Sequence, residues 1–541
     1  MANELFNASH YLVDRHIARG HGHRTAVIGP LGSLSYDELG ALVARLASGW
    51  RAAGLRHEER VLLLAADCPE FLAALLSVMR VGAVPVPVPA VSSAADLADY
   101  LKDSRARFLL VGPQCALTAQ QALDLVNTEH DLTAVVVLSD APVHPPSTVV
   151  RLRWEHLLAA GQAGSPGGDE PDRTTEDSPA LWLYTSGSTG TPKAAMHRHA
   201  SVRFVAEGFG RTELGIGPGD RCFSMAKMSF AYGLGNSCFL PLAAGATTIL
   251  SPDRTTAESV LRRLREDDPT IVFGVPAHYL ALVRDGEMPD SVFSRVRIAV
   301  SAGEALPDVL QARFQERFGT GLMDAFGSTE ALHVYLSRRP GGEWVPVPGY
   351  ELSVSTEEGD VAAPGQPGFL QVRAPSSATG YWSRVRATNE VFRGEWMSTA
   401  DIFSRTEDGR YTFQGRSGDM IKCKGMWVSP IEVESELLRH PSVVQAAVVG
   451  APGPDGLEKP VACVVLAQGH HVSAPTLIDF CRTCLPPHKR PDRVLFLEAL
   501  PTTSTGKARR KLVRDLVLAW PDDGTGASEG PEPSGTEGSH A

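Results

Sequence analysis

No run of basic residues crosses this sequence, and its 51 lysines and arginines are outnumbered by 62 acidic side chains, for a formal charge of −11. That balance argues against nucleic acid as the main partner, because nucleic-acid binding needs a clustered basic face. Long uninterrupted apolar runs are missing too. The most apolar window, Phe71 to Val91, contains Arg80 and three prolines, so it cannot serve as a membrane span. It reads instead as a buried helix followed by the strand-like Ala83-Val-Pro-Val-Pro87. The opening Met-Ala-Asn-Glu-Leu-Phe has no basic region leading into an apolar core, so no secretory signal is expected and the cytoplasm is the default location. Eight cysteines without even spacing point to free thiols rather than a disulfide framework. Cys481-Arg-Thr-Cys484 has no second pair at zinc-site spacing and reads as two helix positions three apart. Internal repeats are absent.

What is present is an ordinary globular composition, 43% apolar and 21% charged, in a chain of 541 residues, which calls for two or three domains. Over the first 150 residues helical and strand-like segments alternate. Leu34 to Gly54 carries helical apolar spacing, with Ser35-Tyr-Asp-Glu38 a capping box if Ser35 is the N-cap, Arg60 to Ala66 reads as a buried strand, and Pro69 to Val81 as a helix with proline in its first turn. Such alternation predicts an α/β fold with parallel sheets covered by helices. Residues 161–179 read as a surface loop, Arg254 to Asp267 as a helix, Thr270 to Phe273 as a strand and Pro276 to Val283 as a helix. Beyond about residue 365 the β-character rises, through Phe369 to Arg373 and Tyr411 to Phe413. A hinge is expected near Arg416, so the domains are drawn as 1–415 and 416–520. The second is a small α+β module with helix Ile431 to His440, strands Val443 to Val449 and Val461 to Leu466, and helix Pro475 to Leu485. Residues 521–541, rich in Gly, Ser, Glu and Pro, are expected to be disordered.

One stretch says more about chemistry than any other. Tyr184-Thr-Ser-Gly-Ser-Thr-Gly-Thr-Pro-Lys193 packs four hydroxyl side chains and two glycines into Thr185, Ser186, Gly187, Ser188, Thr189 and Gly190, and ends on Lys193. Glycines let the backbone approach a bulky anion, while N–H groups and hydroxyls donate to its oxygens. The Walker pattern fails, because Pro192 stands five residues after Gly187. The apolar lead-in Ala180 to Tyr184 suits a strand feeding a phosphate-gripping loop.

This run resembles the signature of the adenylate-forming superfamily, which includes acyl- and aryl-CoA ligases, firefly luciferase and peptide-synthetase adenylation domains. Further motifs follow in that family's order: Ser301-Ala-Gly-Glu-Ala-Leu-Pro307, Asp324-Ala-Phe-Gly-Ser-Thr-Glu330, Ser398-Thr-Ala-Asp401, Gly415-Arg-Ser-Gly-Asp-Met-Ile-Lys-Cys-Lys-Gly425 and Thr505-Gly-Lys507. The resemblance runs from about residue 10 to about 520. It implies a large N-terminal domain with helix-flanked sheets and a β-rich subdomain, followed by a small mobile C-terminal domain. It also implies activation of a carboxylate by ATP and Mg²⁺ to an acyl-AMP with release of pyrophosphate.

Residue by residue, the resemblance places Gly303, Glu304 and Ala305 against the adenine, Phe326 where relatives stack an aromatic ring, and Asp324 near the exocyclic amine. Asp401 and Arg416 match ribose ligands, Thr329 the α-phosphate contact, Glu330 the Mg²⁺ ligand, and Lys507 the lysine that bridges the attacking carboxylate and the phosphates. Arg509, Arg510 and Lys511 read as solvated surface charges. The loop Lys422 to Pro430, with Gly425, would line a tunnel for the thiol of coenzyme A. Lys459, Lys489 and Arg490 are candidates for its 3′-phosphate. One position departs from the pattern: relatives place Asp or Lys two residues after the arginine, as the pivot of the small domain, and this chain has Gly418. Phe230-Ala-Tyr-Gly-Leu-Gly-Asn236 and Glu330-Ala-Leu-His333-Val334 resemble the benzoate-CoA ligase branch. There Ala231, Tyr232, Ala302, Gly327, His333 and Val334 would form a slot for a small aromatic carboxylic acid. Transfer to a separate carrier protein, or to a non-thiol acceptor, stays open at this point, as does the oligomeric state.

Overall fold

Consecutive apolar residues become buried parallel strands. In the computed structural model, which describes residues 4–30, 32–162, 170–186, 192–423, 426–453, 457–501 and 509–520, the strand Arg60–Leu64 is buried from Val61 onward and Phe108–Val111 and Ala134–Val137 are buried throughout. Strands covered on both faces show no alternation, and this is the pattern of helix-covered parallel sheets. The three lie side by side in a five-stranded parallel sheet, between Val84–Pro87 and Val150–Arg153. The prolines of Val84–Pro87 are tolerated because that strand is at the sheet edge, where one side of the backbone needs no ladder bonds. Helix Tyr36–Ala52 starts at Ser35 with the expected reciprocal capping box to Glu38, and Pro69 opens helix Pro69–Arg80. Leu34, expected in the first helix, belongs to the short strand Gly32–Ser35.

A nine-stranded sheet holds the elements that matter most. Its order is Val345–Pro346, Val334–Arg338, Leu322–Gly327, Ile298–Ala302, Ile271–Gly274, Arg221–Ser224, Thr247–Ile249, Thr25–Gly29 and Gly32–Ser35. The six strands from Leu322–Gly327 to Thr25–Gly29 are parallel, and the flanking strands are antiparallel. In open α/β sheets ligands bind beyond the carboxyl ends of the strands. Here those ends lead into residues 225–236, 275–278, 303–305 and 328–333.

The chain divides into two compact units, one of Met1–Leu306, Arg313–Ser353 and Gln371–Ser398, the other of Pro307–Ala312, Val354–Leu370 and the described residues from Thr399 on. The 415/416 boundary drawn from the sequence lies inside the second unit. Tyr411–Arg416 pairs antiparallel with the strand before it, Asp401 opposite Arg416, so the chain on both sides of that boundary is tied together.

Within the second unit Val443–Pro452, Glu458–Leu466 and Arg493–Phe496 form a three-stranded sheet. Alternation along the strands sends Val448 and Val464 to one face, packed with Val433, Leu437, Leu477 and Cys481 from helices Pro430–Leu438 and Ala474–Arg482. It sends Val449 and Val461 to the other, against Val513 and Val517 of helix Arg510–Ala519. All eight cysteines are free. Cys481 lies on helix Ala474–Arg482 as expected, but Cys484, expected on the same helix, lies beyond its end at Arg482 and is exposed. Among the described residues no helix is long and apolar enough to cross a membrane.

Candidate functional site

The strand Pro179–Ser186 does feed the Ser/Thr/Gly run, and a second strand, Pro192–Arg198, returns antiparallel to it. Thr185 stands directly opposite Lys193, and Ser186 opposite Pro192. Paired positions of this kind hold their Cβ atoms about 4.5–5.5 Å apart, so the lysine is fixed at the mouth of the loop it is expected to serve. Gly187, Ser188, Thr189 and Gly190 lie outside the described residues, as do Gly425, Lys507 and 521–541. Lys193 Nζ sits 5.4 Å over the ring of Tyr381, whose hydroxyl donates to Glu330 Oε1 at 2.7 Å. Tyr381 thus links the phosphate-loop lysine to the candidate Mg²⁺ ligand.

Glu330 fits a hard cation: it is a half-buried carboxylate with one oxygen oriented by a neutral donor. Among the described residues no three His, Cys, Asp or Glu side chains gather in a way that could cage a metal alone. A Mg²⁺ ion held by Glu330 would need its other ligands from phosphate and water, as Mg²⁺ commonly does. Thr329 is fixed through its carbonyl, which accepts from His197 Nε2 at 2.9 Å. His197 is buried, and burial pushes its imidazole down to about 4, so it is a neutral structural donor.

The next group lies at the carboxyl end of Ile298–Ala302, where Gly303 (φ +90°), Glu304 and Ala305 turn away from the sheet. On the adjoining strand Asp324 is 2% exposed and its Oδ2 meets Arg338 Nη2 at 3.3 Å across the antiparallel pair. Phe326 is half-buried, with Tyr335 and Trp344 edge-on at 5.9 and 6.2 Å between ring centroids.

The aromatic slot residues come together in the same unit. Tyr232 lies in the short helix Ala231–Leu234, which continues as a π-helical turn, Gly235–Phe239. Such turns recur at functional sites. Its hydroxyl donates to the Val300 carbonyl at 3.1 Å, and its ring faces His333 at 5.6 Å with 32° between planes. His333 Nε2 is 3.3 Å from the Tyr232 carbonyl and 3.2 Å from Asn236 Oδ1. Two glycines permit this packing. A Cβ on Gly235 would lie 2.3 Å from His333 Cδ2, and one on Gly327 would lie 2.3 Å from the His333 carbonyl oxygen. Gly327 is therefore a close-approach residue at the Phe326/Gly327 bulge, opposite Val334. Leu332, fully buried, takes a left-handed φ of +67° just before His333, a conformation that costs about 1–3 kcal/mol and clusters at binding sites. Ala231, Ala302 and Val334 are buried.

In the second unit Asp401, 3% exposed, meets Arg416 Nε at 3.2 Å. Gly418 follows in a turn whose hydrogen bonds are donated by Ser417, Asp419 and Met420. Lys422 stands opposite Trp427 on a short hairpin, its Nζ 5.5 Å from the ring centroid. The basic candidates for a 3′-phosphate are already engaged. Lys489 Nζ donates to Glu432 at 2.6 and 2.8 Å, Arg490 Nε to the Leu485 carbonyl, and Lys459 lies 3.5 Å from Asp492.

The family model described as AMP-binding enzyme matches residues 14–382, and that of the AMP-binding enzyme C-terminal domain matches 432–507. The chain belongs to the AMP-binding enzyme family. It is 38% identical to a benzoate–CoA ligase of Thauera aromatica, over 94% of this chain and 96% of that protein. It is also 38% identical to a 4-hydroxybenzoate–CoA/benzoate–CoA ligase of Rhodopseudomonas palustris, over 95% and 94%. A benzoate CoA ligase from Burkholderia xenovorans superposes with a TM-score of 0.84 at 36% identity, covering 94% of this chain and all of that one.

Against this family frame, sequence reasoning missed Tyr381, His197, Trp344 and Asn236, because each acts through a contact made far along the chain. It also misread Arg510. Instead of a solvated charge, Arg510 is a clamp: its Nη1 and Nη2 donate to Glu434 at 2.5 and 2.9 Å, Nη1 also to the Val448 carbonyl at 2.8 Å, and Nε lies 3.3 Å from Asp419. The packing of helix Arg510–Ala519 on the sheet carries the side chain inward, leaving it 21% and Glu434 12% exposed. Replacing Arg510 by alanine strands Glu434 and is expected to cost about 3 kcal/mol of stability, the lower end for breaking a buried pair. Chemical denaturation of R510A measures the loss, and the apolar double variant R510M/E434L is expected to recover most of it.

Proposed function

We propose that this AMP-binding enzyme is an AMP-forming aryl-acid:CoA ligase that activates a benzoate-type acid. The carrying observation is the Tyr232–His333 wall: two rings 5.6 Å apart at the carboxyl end of the parallel strands, with Gly327 close against the His333 backbone. A planar ring fills a slot of that shape, and the benzoate–CoA ligases matched over nearly the whole chain support the assignment.

A carboxylate resists attack by a thiol because its carbon is electron-rich and oxide does not leave. In the first step a carboxylate oxygen of the acid attacks the α-phosphorus of ATP, and the bond to pyrophosphate breaks. In the second, the thiolate of coenzyme A attacks the acyl carbon and AMP leaves. Glu330 would hold Mg²⁺, which would supply positive charge against the phosphates. The residues of this chain orient and donate: Thr185 and Lys193 at the phosphate loop, Thr329 at the α-phosphate, Gly303 to Ala305 and Phe326 beside adenine, Asp401 and Arg416 at the ribose, and Lys507 where charge shifts in the transition state. The Thr185–Lys193 register and the Lys193–Tyr381–Glu330 chain support these roles. Lys422 and Gly425 are assigned to the thiol path and Gly418 to the pivot between residues 1–415 and 416–520. Eight free thiols favour a reducing compartment, and we place the enzyme in the cytoplasm.

The test is a panel of acids in pyrophosphate exchange, with and without coenzyme A. Benzoate-type acids are expected to exceed acetate and octanoate in kcat/KM, since an alkyl chain leaves the slot partly empty or folds at an entropic cost. Octanoate outperforming every benzoate would overturn the slot. Exchange without CoA-ester formation would point to a carrier protein or a non-thiol acceptor instead.

A further inference from the structure

Asp103 stands where a helix disfavours it. It lies in the last turn of helix Ala94–Ser104, where the exposed carbonyl ends carry partial negative charge and repel a carboxylate. Its partners come instead from two distant parts of the chain. Oδ2 accepts from the Tyr184 hydroxyl at 2.8 Å and Oδ1 from Arg384 Nη2 at 2.6 Å, while the Asp103 carbonyl accepts from Trp382 Nε1 at 2.9 Å. Between Trp382 and Arg384 stands Ser383 with a left-handed φ of +49°, a conformation that a non-glycine residue holds only at a cost.

These contacts fall on the back of a three-stranded ribbon. Pro179–Ser186 pairs with one edge of Pro192–Arg198, and residues 379–382 join its other edge. There Trp382 N–H donates to the Ala194 carbonyl, Met196 N–H donates to that of Gly380, and Ala195 pairs with Tyr381. Side chains alternate between the two faces of such a ribbon. Trp182, Tyr184, Ala194 and Trp382 therefore share one face, packed on the core of the five-stranded sheet. Thr185, Lys193 and Tyr381 share the other, which carries the Lys193–Tyr381–Glu330 chain. On the back face Trp182 and Trp382 lie 4.7 Å apart, and Tyr184 packs on Tyr100 at 4.5 Å. Asp103 bonds both outer strands at once, across the middle one.

We propose that Asp103 is a positioning residue for adenylation: by tying the two outer strands together behind the ribbon, it sets the spacing of Thr185, Lys193 and Tyr381 on the front, where the triphosphate is to be held. It touches no reacting atom and acts through Tyr184 and Arg384. The inference rests on the phosphate-binding roles proposed above for Thr185, Lys193 and Glu330. The aryl-AMP no longer carries the two phosphates that leave, so the thioester step makes no such demand on the ribbon.

The experiment compares the unmodified full-length enzyme with D103A, D103N and Y184F in three measurements. These are ATP binding with Mg²⁺ by equilibrium dialysis without acid, single-turnover aryl-AMP formation, and thioester formation from supplied aryl-AMP. In D103A the ATP dissociation constant is expected to rise about fivefold and aryl-AMP formation to slow by about tenfold or more, with the thioester step within about twofold. D103N is expected to recover most of both losses, because its amide oxygen still accepts from Arg384 and its N–H can donate to the Tyr184 oxygen. Y184F removes one hydroxyl, keeps the ring on Tyr100, and should slow aryl-AMP formation alone by about fivefold. A merely structural role would instead lower both half-reactions together, in step with the denaturation midpoint. The proposal is overturned if D103A forms aryl-AMP within about twofold of the unmodified rate, or if both half-reactions fall equally. Should D103A fail to fold, Y184F decides by whether aryl-AMP formation alone is slowed. If the unmodified enzyme makes no aryl-AMP from any benzoate, the ligase reading fails instead. ATP binding, which needs no acid, then still tests Asp103, and an unchanged dissociation constant in D103A overturns its role.

Discussion

Lys507→Ala is expected to slow aryl-AMP formation by about 10²–10³-fold while ATP binding changes little, because the lost charge acts mainly in the transition state of that step. In the role proposed for it, the ammonium would stabilise charge moving from the attacking carboxylate to pyrophosphate. It has no such task once the aryl-AMP exists. Thioester formation from supplied aryl-AMP should therefore proceed at a nearly normal rate. Single-turnover measurements of the two half-reactions separate the cases, and equal losses in both would remove Lys507 from its assigned role. The Arg510 clamp three residues further on supplies a control. R510A lowers stability, so a denaturation midpoint measured on both variants tells a chemical defect from a folding one.

Gly418→Pro should give the reverse split, with adenylation retained within a few-fold and CoA-ester formation down by about 10²-fold or more, as misplacing a reacting group does. The structure sharpens this expectation. Nothing in the present conformation requires glycine at 418: its φ is outside the left-handed region, and a Cβ there meets no atom within 4 Å. The turn's hydrogen bonds come from Ser417, Asp419 and Met420, so proline at 418 removes none of them. What proline removes is the freedom to leave this conformation, since it fixes φ near −65° and restricts Ser417 as well. Gly418→Ala is the companion variant and should keep both activities. Pyrophosphate exchange and CoA-ester production on each protein check the pair. Parallel loss of both activities in the proline variant would mean that the turn, and not its rotation, was damaged; no loss in either would move the pivot elsewhere.

The elements with strong local signals were legible before any coordinates. Ser35 and Glu38 cap their helix reciprocally, Pro69 opens the next, and Val61 to Leu64 is a buried parallel strand. In each case neighbours a few residues apart decide the outcome. Order along the chain likewise identified the family, because its motifs are short local runs of sequence. Some features left no such trace. Glycine stands at 235 because His333, about a hundred positions away, fills the room a side chain would need. The left-handed Leu332 is a leucine that no turn rule would select. Arg510 reads as one more basic residue in a basic run until the sheet presents Glu434, Val448 and Asp419 to it.

The sequence by itself determined the fold class and the family, since these depend on periodicity, capping and motif order. Only the tertiary structure decided that Lys193 reaches Glu330 through Tyr381 and that Gly418 is free of any steric demand in this conformation. Those facts depend on which distant groups are brought within hydrogen-bonding distance, and a polar atom's role inside a protein is set by its partners rather than by its neighbours in the chain.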